Sequence, residues 1–202
     1  MMLWLAPQPL VVASKSAARR AMLAACGLPI EATEADLDER AVESRSGPVP
    51  PDQAALVLAR EKARVVAVRC PGRYVVGADQ TLALGEIRFN KPEDRAGARE
   101  QLRALSGRTH ALHSAVAVAK DGRVIFGHIE TARLTMRRLT DRFIDVYLDT
   151  AGDAVTTTVG AYQLERLGVH LFERIEGDHF TILGLPLFSL LAFFRREGCL
   201  AG

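Results

Sequence analysis

The sequence predicts an α/β fold, an elongated unit with a mixed, twisted sheet, flanking helices and two lobes. Short apolar runs typical of buried strands alternate with segments rich in helix formers. Two long strand-like segments, 109–119 and 123–135, are joined by Asp121-Gly122, a pair typical of an antiparallel hairpin. The 202 residues, 49% of them hydrophobic, suffice for one domain over 1–202 with a buried core.

The first elements are a buried strand and a helix. The apolar run 10–13 has the length of a buried strand and stops at Ser14. Strong helix formers over 17–26 follow, with Ser16 in the position of an N-cap. The stretch 34–51 is polar and rich in proline, so we expect an exposed loop there.

A second helix and strand follow this loop. The helix opens at Asp52, carries apolar residues at helical spacing and ends before Pro71. The run 74–79 is typical of a buried strand, and it ends on the carboxylate of Asp79. Residues 80–84 are expected to remain extended up to a turn.

The rest of the chain, apart from the hairpin, is expected to form three helices and an extended tail. We expect helices over 93–105, from 141 to about 150, and over 186–197. The tail 160–184 is expected to be mostly extended. The apolar run 182–194 is shorter than the roughly 20 residues of a membrane span, so it is interpreted as a buried strand followed by a core helix.

Composition excludes several classes of protein. Lys plus Arg number 26 against 24 for Asp plus Glu, which gives no broad basic surface for nucleic acid or membrane. The three cysteines are widely spaced and form no C-x-x-C pair, which argues against a disulfide framework or zinc knuckle and favours a reducing compartment. The apolar start has no positive charge before Lys15, so it is not typical of a signal peptide. A cytoplasmic location is expected.

Common nucleotide and hydrolase motifs are missing. The chain has no G-x-G-x-x-G, no P-loop motif and no G-x-S-x-G. His110 and His113 are three residues apart in a predicted strand, which places them on opposite faces and argues against a shared metal.

Basic residues at one helix start suggest a phosphate site. Ser14 follows a predicted strand, and Arg19 and Arg20 lie in the first turn of the next helix. Free backbone N–H groups, the helix dipole and two guanidinium groups would converge there, which suits a phosphate. The alternative is an ordinary solvated helix start.

Further charged residues complete a possible set for phosphate chemistry. Asp79 lies at a strand end, where open α/β sheets bind ligands, and could serve as general base or metal ligand, or simply as a turn residue. Lys62 and Lys91 are cations that could neutralise phosphate charge or remain solvated. Asp38 and Glu39 lie in an acidic stretch whose oxygens suit Mg²⁺ or Mn²⁺, or water alone.

The chain resembles the Maf family of nucleoside triphosphate pyrophosphatases over residues 10–198. Eight segments occur in the family's order and approximate spacing, and together they make the resemblance specific. They are LVVASKSAARRAMLAACGLPIE, ADLDE, LAREKA, VVGADQT, NKPED, LRALSGRTH, YQLERLGVHLFERIEGD and LGLPL. The resemblance implies a cleft between two lobes, a homodimer as in many family members, and cleavage between the α and β phosphates with a divalent metal (Mg²⁺, Mn²⁺ or Co²⁺).

The resemblance also implies residue roles. Asp79 matches the proton acceptor, and Lys62 and Lys91 are expected to act with it in catalysis. The family's phosphate-holding positions correspond to Ser14, Arg19, Arg20, Lys62 and Lys91. Asp38 and Glu39 resemble the family's acidic, metal-holding loop.

Three positions differ between the family's subgroups, and here they are Ala18, Gln80 and Glu165. The subgroup acting on 7-methyl-GTP typically has Trp, Gln and Glu, and the subgroup acting on dTTP and UTP has Arg, Thr and Gln. Two of three positions match the first. Glu165 could accept hydrogen bonds from a guanine edge, whereas Ala18 lacks an indole that would stack on a charged purine.

Two other interpretations remain at this point. A binding protein that senses nucleotides or regulates cell division would have no need of Asp79, Lys62 and Lys91 as a reactive set. A protein of the related inosine triphosphate pyrophosphatases would need motifs that the chain lacks. We therefore expect an enzyme that acts on a nucleoside triphosphate, with no nucleic-acid or membrane partner.

Overall fold

The structure is a computed structural model that describes residues 3–202. Within these residues, seven strands form one sheet in the order β2-β1-β3-β5-β6-β7, and β4 pairs with β3 beside this path. The strands are β1 (Leu10–Ala13), β2 (Ile30–Ala32), β3 (Val75–Leu84), β4 (Ile87–Phe89), β5 (Thr109–Lys120), β6 (Arg123–Met136) and β7 (Phe172–Glu176). The helices are α1 (Ala17–Ala25), α2 (Glu39–Ser46), α3 (Pro51–Arg69), α4 (Arg95–Leu105), α5 (Asp141–Ala151), α6 (His179–Ile182) and α7 (Leu187–Arg196).

The sheet is mixed, as predicted. β1 runs parallel to β2 and β3, whereas β3, β5, β6 and β7 pair antiparallel. The hairpin between β5 and β6 turns at Asp121 and Gly122, whose φ angles are 52° and 74°. Positive φ at both positions matches the twist of the strands and explains the Asp-Gly pair. The α/β fold predicted from the sequence is confirmed.

Two hydrophobic clusters share one face of β3 and form the two lobes. Val76 and Ala78 pack in a cluster with α1 and α7, whereas Leu82 packs in a second cluster with α4 and α5. Gln80 lies between them on the same face, since alternate residues of a strand point to the same side. The opposite face of the sheet packs against α3. β3 therefore passes from one lobe to the other at Gln80.

One edge of β3 is open at this passage. β5 pairs along the other edge from Val75 to Ala83. On the open side, β1 pairs with β3 as far as Gly77, and β4 pairs with it from Leu82 onward. Between these two partners, no strand within residues 3–202 pairs with residues 78–81 on that edge. Backbone groups there are available to side chains and ligands.

The predicted loop over 34–51 is wrong in part, because it contains α2. The Asp38 carboxylate accepts a hydrogen bond from the backbone N–H of Ala41 at 3.0 Å, and Val42 is buried. An N-cap and one buried apolar residue suffice for a short helix when α3 supplies the packing surface. Composition alone did not show this.

The tail 160–184 is mostly not extended, which also differs from the prediction. Short 3-10 turns occupy much of 152–171, and only β7 is a strand. The buried strand predicted at the start of 182–194 is wrong, because Ile182 ends α6, a turn capped by Asp178. The helix predicted over 186–197 is confirmed as α7. Among residues 3–202, none of the helices combines the length and apolarity needed to cross a bilayer.

Candidate active site

A buried ion pair lies at the open edge of β3. The Asp79 side chain points to the α3 side of the sheet, and Asp79 is 9% exposed. The Lys62 Nζ donates a hydrogen bond to Asp79 Oδ1 at 2.6 Å and contacts Glu39 Oε1 at 2.8 Å. Burial raises the pKa of the Asp79 carboxyl, while the positive charges of Lys62 and Arg19 act in the opposite direction.

Close packing of α3 on the sheet positions this pair. A Cβ on Gly77 would lie 2.2 Å from the backbone oxygen of Ala59 and 2.6 Å from the backbone nitrogen of Ala63. Only glycine permits this approach. Because helical side chains lean toward the helix N-terminus, Lys62 extends from this contact toward Asp79, two residues further along β3.

The start of α1 lies at the same sheet edge. β1 ends level with Gly77, so Ser14 leaves the sheet where the open edge begins. The Ser14 hydroxyl oxygen accepts a hydrogen bond from Ser16 N at 3.2 Å, and the Ser16 hydroxyl accepts one from Arg19 N at 3.3 Å. The N–H groups of residues 17 and 18 bond to no group within residues 3–202, so they are free to bind an anion.

The two arginines of α1 have different environments. Arg19 donates from Nη1 to the Ala78 carbonyl at 2.9 Å and from Nε to the Gly184 carbonyl at 2.8 Å. Its guanidinium thus joins the open edge of β3 to the loop before α7, and burial lowers its pKa. The Arg20 side chain makes no hydrogen bond or ion pair within the described part of the chain, and Ala18 beside the two arginines is half-buried.

Gln80 points to the opposite face from Asp79. Its Nε2 donates to Ser114 Oγ at 2.9 Å and to the carbonyls of Thr181 and Ile182 at 3.2 and 3.1 Å. The Ser114 hydroxyl donates to the Thr181 carbonyl at 2.6 Å. Gln80 therefore ties β3 to α6 at the position where β3 passes between the two lobes.

Two other predicted site residues lie on exposed segments. Lys91 follows β4, whose pairing of Phe89 with Leu82 directs the next residues back toward Gln80. Glu165 lies in a turn that follows Tyr162. No hydrogen bond or ion pair within residues 3–202 joins Lys91 or Glu165 to Asp79.

The two acidic residues predicted to hold metal, Asp38 and Glu39, make different contacts. Asp38 uses Oδ1 to cap α2, whereas Glu39 reaches Lys62 beside Asp79. Within residues 3–202, no three His, Cys, Asp or Glu side chains converge as a complete ligand set. Glu39 and a free oxygen of Asp38 are the kind of oxygen donors that Mg²⁺ takes when phosphates and waters complete its shell.

Sequence reasoning missed several residues that shape the site. Ser114, Thr181 and Gly184 contact Gln80 or Arg19 from distant parts of the chain. The signal for Ser114 was a polar residue directly before the apolar run 115–119 of a predicted strand. The other two contribute backbone carbonyls, which no residue type marks.

Comparison with known proteins finds a family and relatives that match almost the whole chain. A family model described as "Maf-like protein" matches residues 9–197. A relative from Nitrobacter hamburgensis named "Nucleoside triphosphate pyrophosphatase" is 57% identical over 201 residues, covering 100% of both chains. One from Brucella abortus named "7-methyl-GTP pyrophosphatase" is 49% identical, covering 96% of this chain and 98% of the relative.

A solved structure shares the fold. The Ham1 protein of Staphylococcus aureus is 12% identical and aligns with a TM-score of 0.50, covering 94% of this chain and 100% of that one. The relatives define a class of enzyme, the nucleoside triphosphate pyrophosphatases, which are hydrolases. Within that class, the chain belongs to the Maf family. The family predicted from the sequence motifs is confirmed.

Proposed function

We propose that this chain hydrolyses a nucleoside triphosphate between the α and β phosphates, giving the monophosphate and pyrophosphate. The observation that carries the proposal is the Asp79–Lys62 pair, at 2.6 Å, at the open edge of β3 beside the start of α1. A buried base adjacent to cations and free N–H groups suits attack of water on a polyphosphate. The 57% identical relatives named for this activity support it.

Asp79 is the proposed general base. It removes a proton from water while the water oxygen forms a bond to the α phosphorus and the bond to the bridging oxygen of pyrophosphate breaks. The raised pKa of Asp79 makes its carboxylate a stronger base than an exposed aspartate.

Cations and N–H donors are proposed to hold the phosphates. Lys62, Lys91 and Arg20 neutralise charge on the phosphoryl oxygens, and Ser14 with the N–H groups at the start of α1 binds them directly. Arg19 has Nη2 left for a phosphate, since Nε and Nη1 bind backbone carbonyls.

A divalent metal, Mg²⁺, Mn²⁺ or Co²⁺, is proposed as cofactor. Glu39 and Asp38 would hold it, and when bound it would neutralise negative charge on the triphosphate. The fit is that of a metal bound by one or two carboxylates and completed by substrate oxygens and water.

The preferred base is proposed to be 7-methylguanine. Glu165 and Gln80 match the subgroup that acts on 7-methyl-GTP, and the Brucella abortus relative with 49% identity carries that name. Ala18 does not match that subgroup. The second candidate is therefore the dTTP and UTP activity of the other subgroup.

A screen of nucleoside triphosphates tests both candidates. Pyrophosphate release is measured with 7-methyl-GTP, GTP, dTTP and UTP in the presence of each of the three metals. We expect the highest kcat/KM for 7-methyl-GTP, and a lower preference for it in Glu165→Gln. A higher kcat/KM for dTTP or UTP in the wild type would select the second candidate. Phosphate release in place of pyrophosphate would overturn the proposed bond cleavage.

The remaining proposals concern the domain organisation, location, oligomeric state and partners of the enzyme. Residues 1–202 are proposed to act as one domain, in the cytoplasm, as a homodimer and without a nucleic-acid or membrane partner. The unpaired cysteines within residues 3–202 support a reducing compartment. The nearly even charge balance supports the absence of a nucleic-acid partner.

A further inference from the structure

The side-chain amide of Gln80 is held in one orientation. Its nitrogen faces the carbonyls of Thr181 and Ile182 at 3.2 and 3.1 Å. A carbonyl oxygen only accepts hydrogen bonds, so the NH₂ group of the amide must face these two atoms and the oxygen must face away. The orientation therefore follows from the chemistry of the neighbours.

Ser114 adds the third restraint. Its hydroxyl is fully buried and donates its single proton to the Thr181 carbonyl at 2.6 Å. The Ser114 oxygen can then only accept from Gln80, whose Nε2 is 2.9 Å away. One serine thus binds both α6 and the Gln80 amide, which lies between the two lobes on β3.

The partner side of this contact is itself anchored. Thr181 is fully buried, its N–H donates to Asp178 at 2.7 Å, and its hydroxyl donates to Glu130 at 3.1 Å. The carbonyl groups that face Gln80 are therefore fixed to β6 and to the cap of α6. Rotation of the amide would place its oxygen against two carbonyl oxygens, which is unfavourable in a buried site.

The oxygen of the Gln80 amide remains free on the side away from the two carbonyls. Oε1 accepts no hydrogen bond within residues 3–202. A Cβ on Gly184 would lie 3.6 Å from Oε1 and 3.2 Å from Arg19 Nη2, so both atoms face the same small space. This space lies beside the open edge of β3, where the nucleotide is proposed to bind.

We propose that Ser114 is a specificity-positioning residue, which acts through Gln80 by presenting only a hydrogen-bond acceptor to the substrate base. This inference rests on the proposed function. An acceptor of fixed orientation favours a base rich in N–H donors. Guanine carries an N–H and an NH₂ on its Watson–Crick edge, whereas uracil carries one N–H between two carbonyl acceptors.

The test is the ratio of kcat/KM for 7-methyl-GTP to kcat/KM for UTP. In Ser114→Ala the Gln80 nitrogen keeps its two carbonyl partners but loses the serine oxygen, so the amide oxygen is held less firmly toward the base, and we expect this ratio to fall by about 5- to 10-fold. Ser106→Ala is the control, because it also removes a serine hydroxyl that bonds a distant segment, here by accepting from Leu139 N at 2.8 Å, and within residues 3–202 that hydroxyl bonds to neither Gln80 nor α6. We expect that control to keep the wild-type ratio.

A double-mutant cycle separates positioning from general damage. Gln80→Met removes the amide and keeps the length of the side chain. If Ser114 acts through Gln80, the double variant Ser114→Ala, Gln80→Met has the same kcat/KM ratio as Gln80→Met alone, although its stability is lower. The inference is overturned if Ser114→Ala lowers the kcat/KM ratio equally in the wild type and in Gln80→Met. It is also overturned if a well-folded Ser114→Ala has the wild-type ratio.

Failure of this inference differs from failure of the proposed function. A wild-type protein that releases no pyrophosphate from any nucleoside triphosphate contradicts the proposed function. Pyrophosphate release with the same kcat/KM ratio in wild type and Ser114→Ala contradicts only the role of Ser114. Thermal melting of each variant shows that the comparison is made on folded protein.

Discussion

Asp79 is a carboxylate on which burial and two cations act in opposite directions. Burial raises its pKa, whereas Lys62 and Arg19 favour the ionised form. This balance is common at sites that need a base, since the group must lose its proton and still be able to accept one. The Lys62 contact at 2.6 Å places the compensating charge on one carboxylate oxygen and leaves the other without a hydrogen-bond partner within residues 3–202.

Replacement of Asp79 by Asn tests the general base. We expect turnover to fall by about 10²–10⁴-fold, the usual loss for a general base, because an amide cannot take the proton from water. The substitution is nearly isosteric, and Lys62 keeps Glu39 as a partner at 2.8 Å. The measurement is pyrophosphate release together with nucleotide affinity, which we expect to persist. Turnover at the wild-type rate would remove Asp79 from the mechanism.

Lys62→Ala should affect the transition state more than substrate binding. Loss of the cation leaves Asp79 and Glu39 without their shared partner, and no ammonium neutralises charge that develops on the phosphates. We expect kcat to fall. Since Lys62 opposes the rise in the Asp79 pKa, the acid limb of the kcat/KM profile should also move to higher pH.

The control for Lys62 is Lys15→Ala, which removes an exposed lysine paired with Glu34. An increase in KM with unchanged kcat in Lys62→Ala would mean that this lysine binds the substrate and the transition state equally well. The same measurement on Lys91→Ala shows whether its exposed loop contributes to catalysis.

His110 makes stability depend on pH. Burial lowers its pKa to about 4, its Nε2 bonds to the Tyr162 hydroxyl at 2.7 Å, and its Nδ1 has no partner within residues 3–202. The unfolded chain takes up a proton at this histidine near its ordinary pKa of about 6.5, whereas the folded chain does not until about 4. The folded state therefore loses stability as pH falls from 6.5 toward 4.

Urea unfolding at pH 7 and pH 5 measures this effect. We expect wild type to lose about 2 kcal/mol more than His110→Gln between these pH values, because glutamine keeps a partner for Tyr162 but does not titrate. His170→Gln, on an exposed residue, is the control and should behave as wild type. Equal pH dependence in wild type and His110→Gln would contradict a buried neutral His110.

At the scale of elements, the contact of α3 with β3 determines the position of Lys62. The helix is 19 residues long and buries alanines against the sheet, with Ala59 and Ala63 directly over Gly77. Small residues on both sides bring the two backbones close together. The reactive pair depends on this distance, because Lys62 comes from the helix and Asp79 from the strand.

Gly77→Ala should weaken both stability and activity. The added methyl would meet backbone atoms, which cannot rotate away, and overpacking of this kind costs about 1–3 kcal/mol. A shift of α3 would also move Lys62 from Asp79, so kcat should fall. Gly97→Ala is the matched control, since a Cβ there meets nothing closer than 3.4 Å. Unchanged melting in Gly77→Ala would contradict the close packing.

The short helix α2 positions a site residue, Glu39, although the polar composition of this stretch predicted a loop. Its sequence is mostly polar, and only Val42 is buried. The helix nevertheless fixes Glu39 beside Lys62 through the cap at Asp38. An exposed loop would not hold a carboxylate at 2.8 Å from a buried ammonium group without this support.

At the scale of the whole molecule, β3 is shared by the two lobes. Val76 and Leu82 belong to different hydrophobic clusters, and the open edge lies between them. A nucleotide bound there would contact both lobes, so it should stabilise the folded chain as a unit.

A non-hydrolysable analogue with a methylene bridge between the α and β phosphates tests this coupling. At 100 times its Kd we expect stabilisation of about 2.7 kcal/mol, which is a rise in Tm of roughly 5–10 °C for a chain of this size. Differential scanning calorimetry with Kd measured separately gives both quantities. Binding without a rise in Tm would contradict a site formed only in the folded protein.

Much of the fold was predictable because its signals are local. Apolar runs, caps and the Asp121-Gly122 turn each depend on a few neighbouring residues. The two strands that were missed, β2 and β4, have three residues each and too little pattern to recognise. The 3-10 turns over 152–171 were missed because tertiary packing of residues such as Ala161, rather than periodicity, holds them.

The sequence by itself determined the fold class, the family and the identity of the candidate residues, because eight ordered motifs and hydrophobic periodicity are properties of the linear chain. Only the tertiary structure decided which of those residues meet. It places Lys62 in contact with both Asp79 and Glu39. It also shows that Arg19 donates to two backbone carbonyls and that Gln80 bonds to Ser114 and α6. Such contacts join positions up to 165 residues apart, and they depend on strand order and helix packing that no local pattern encodes.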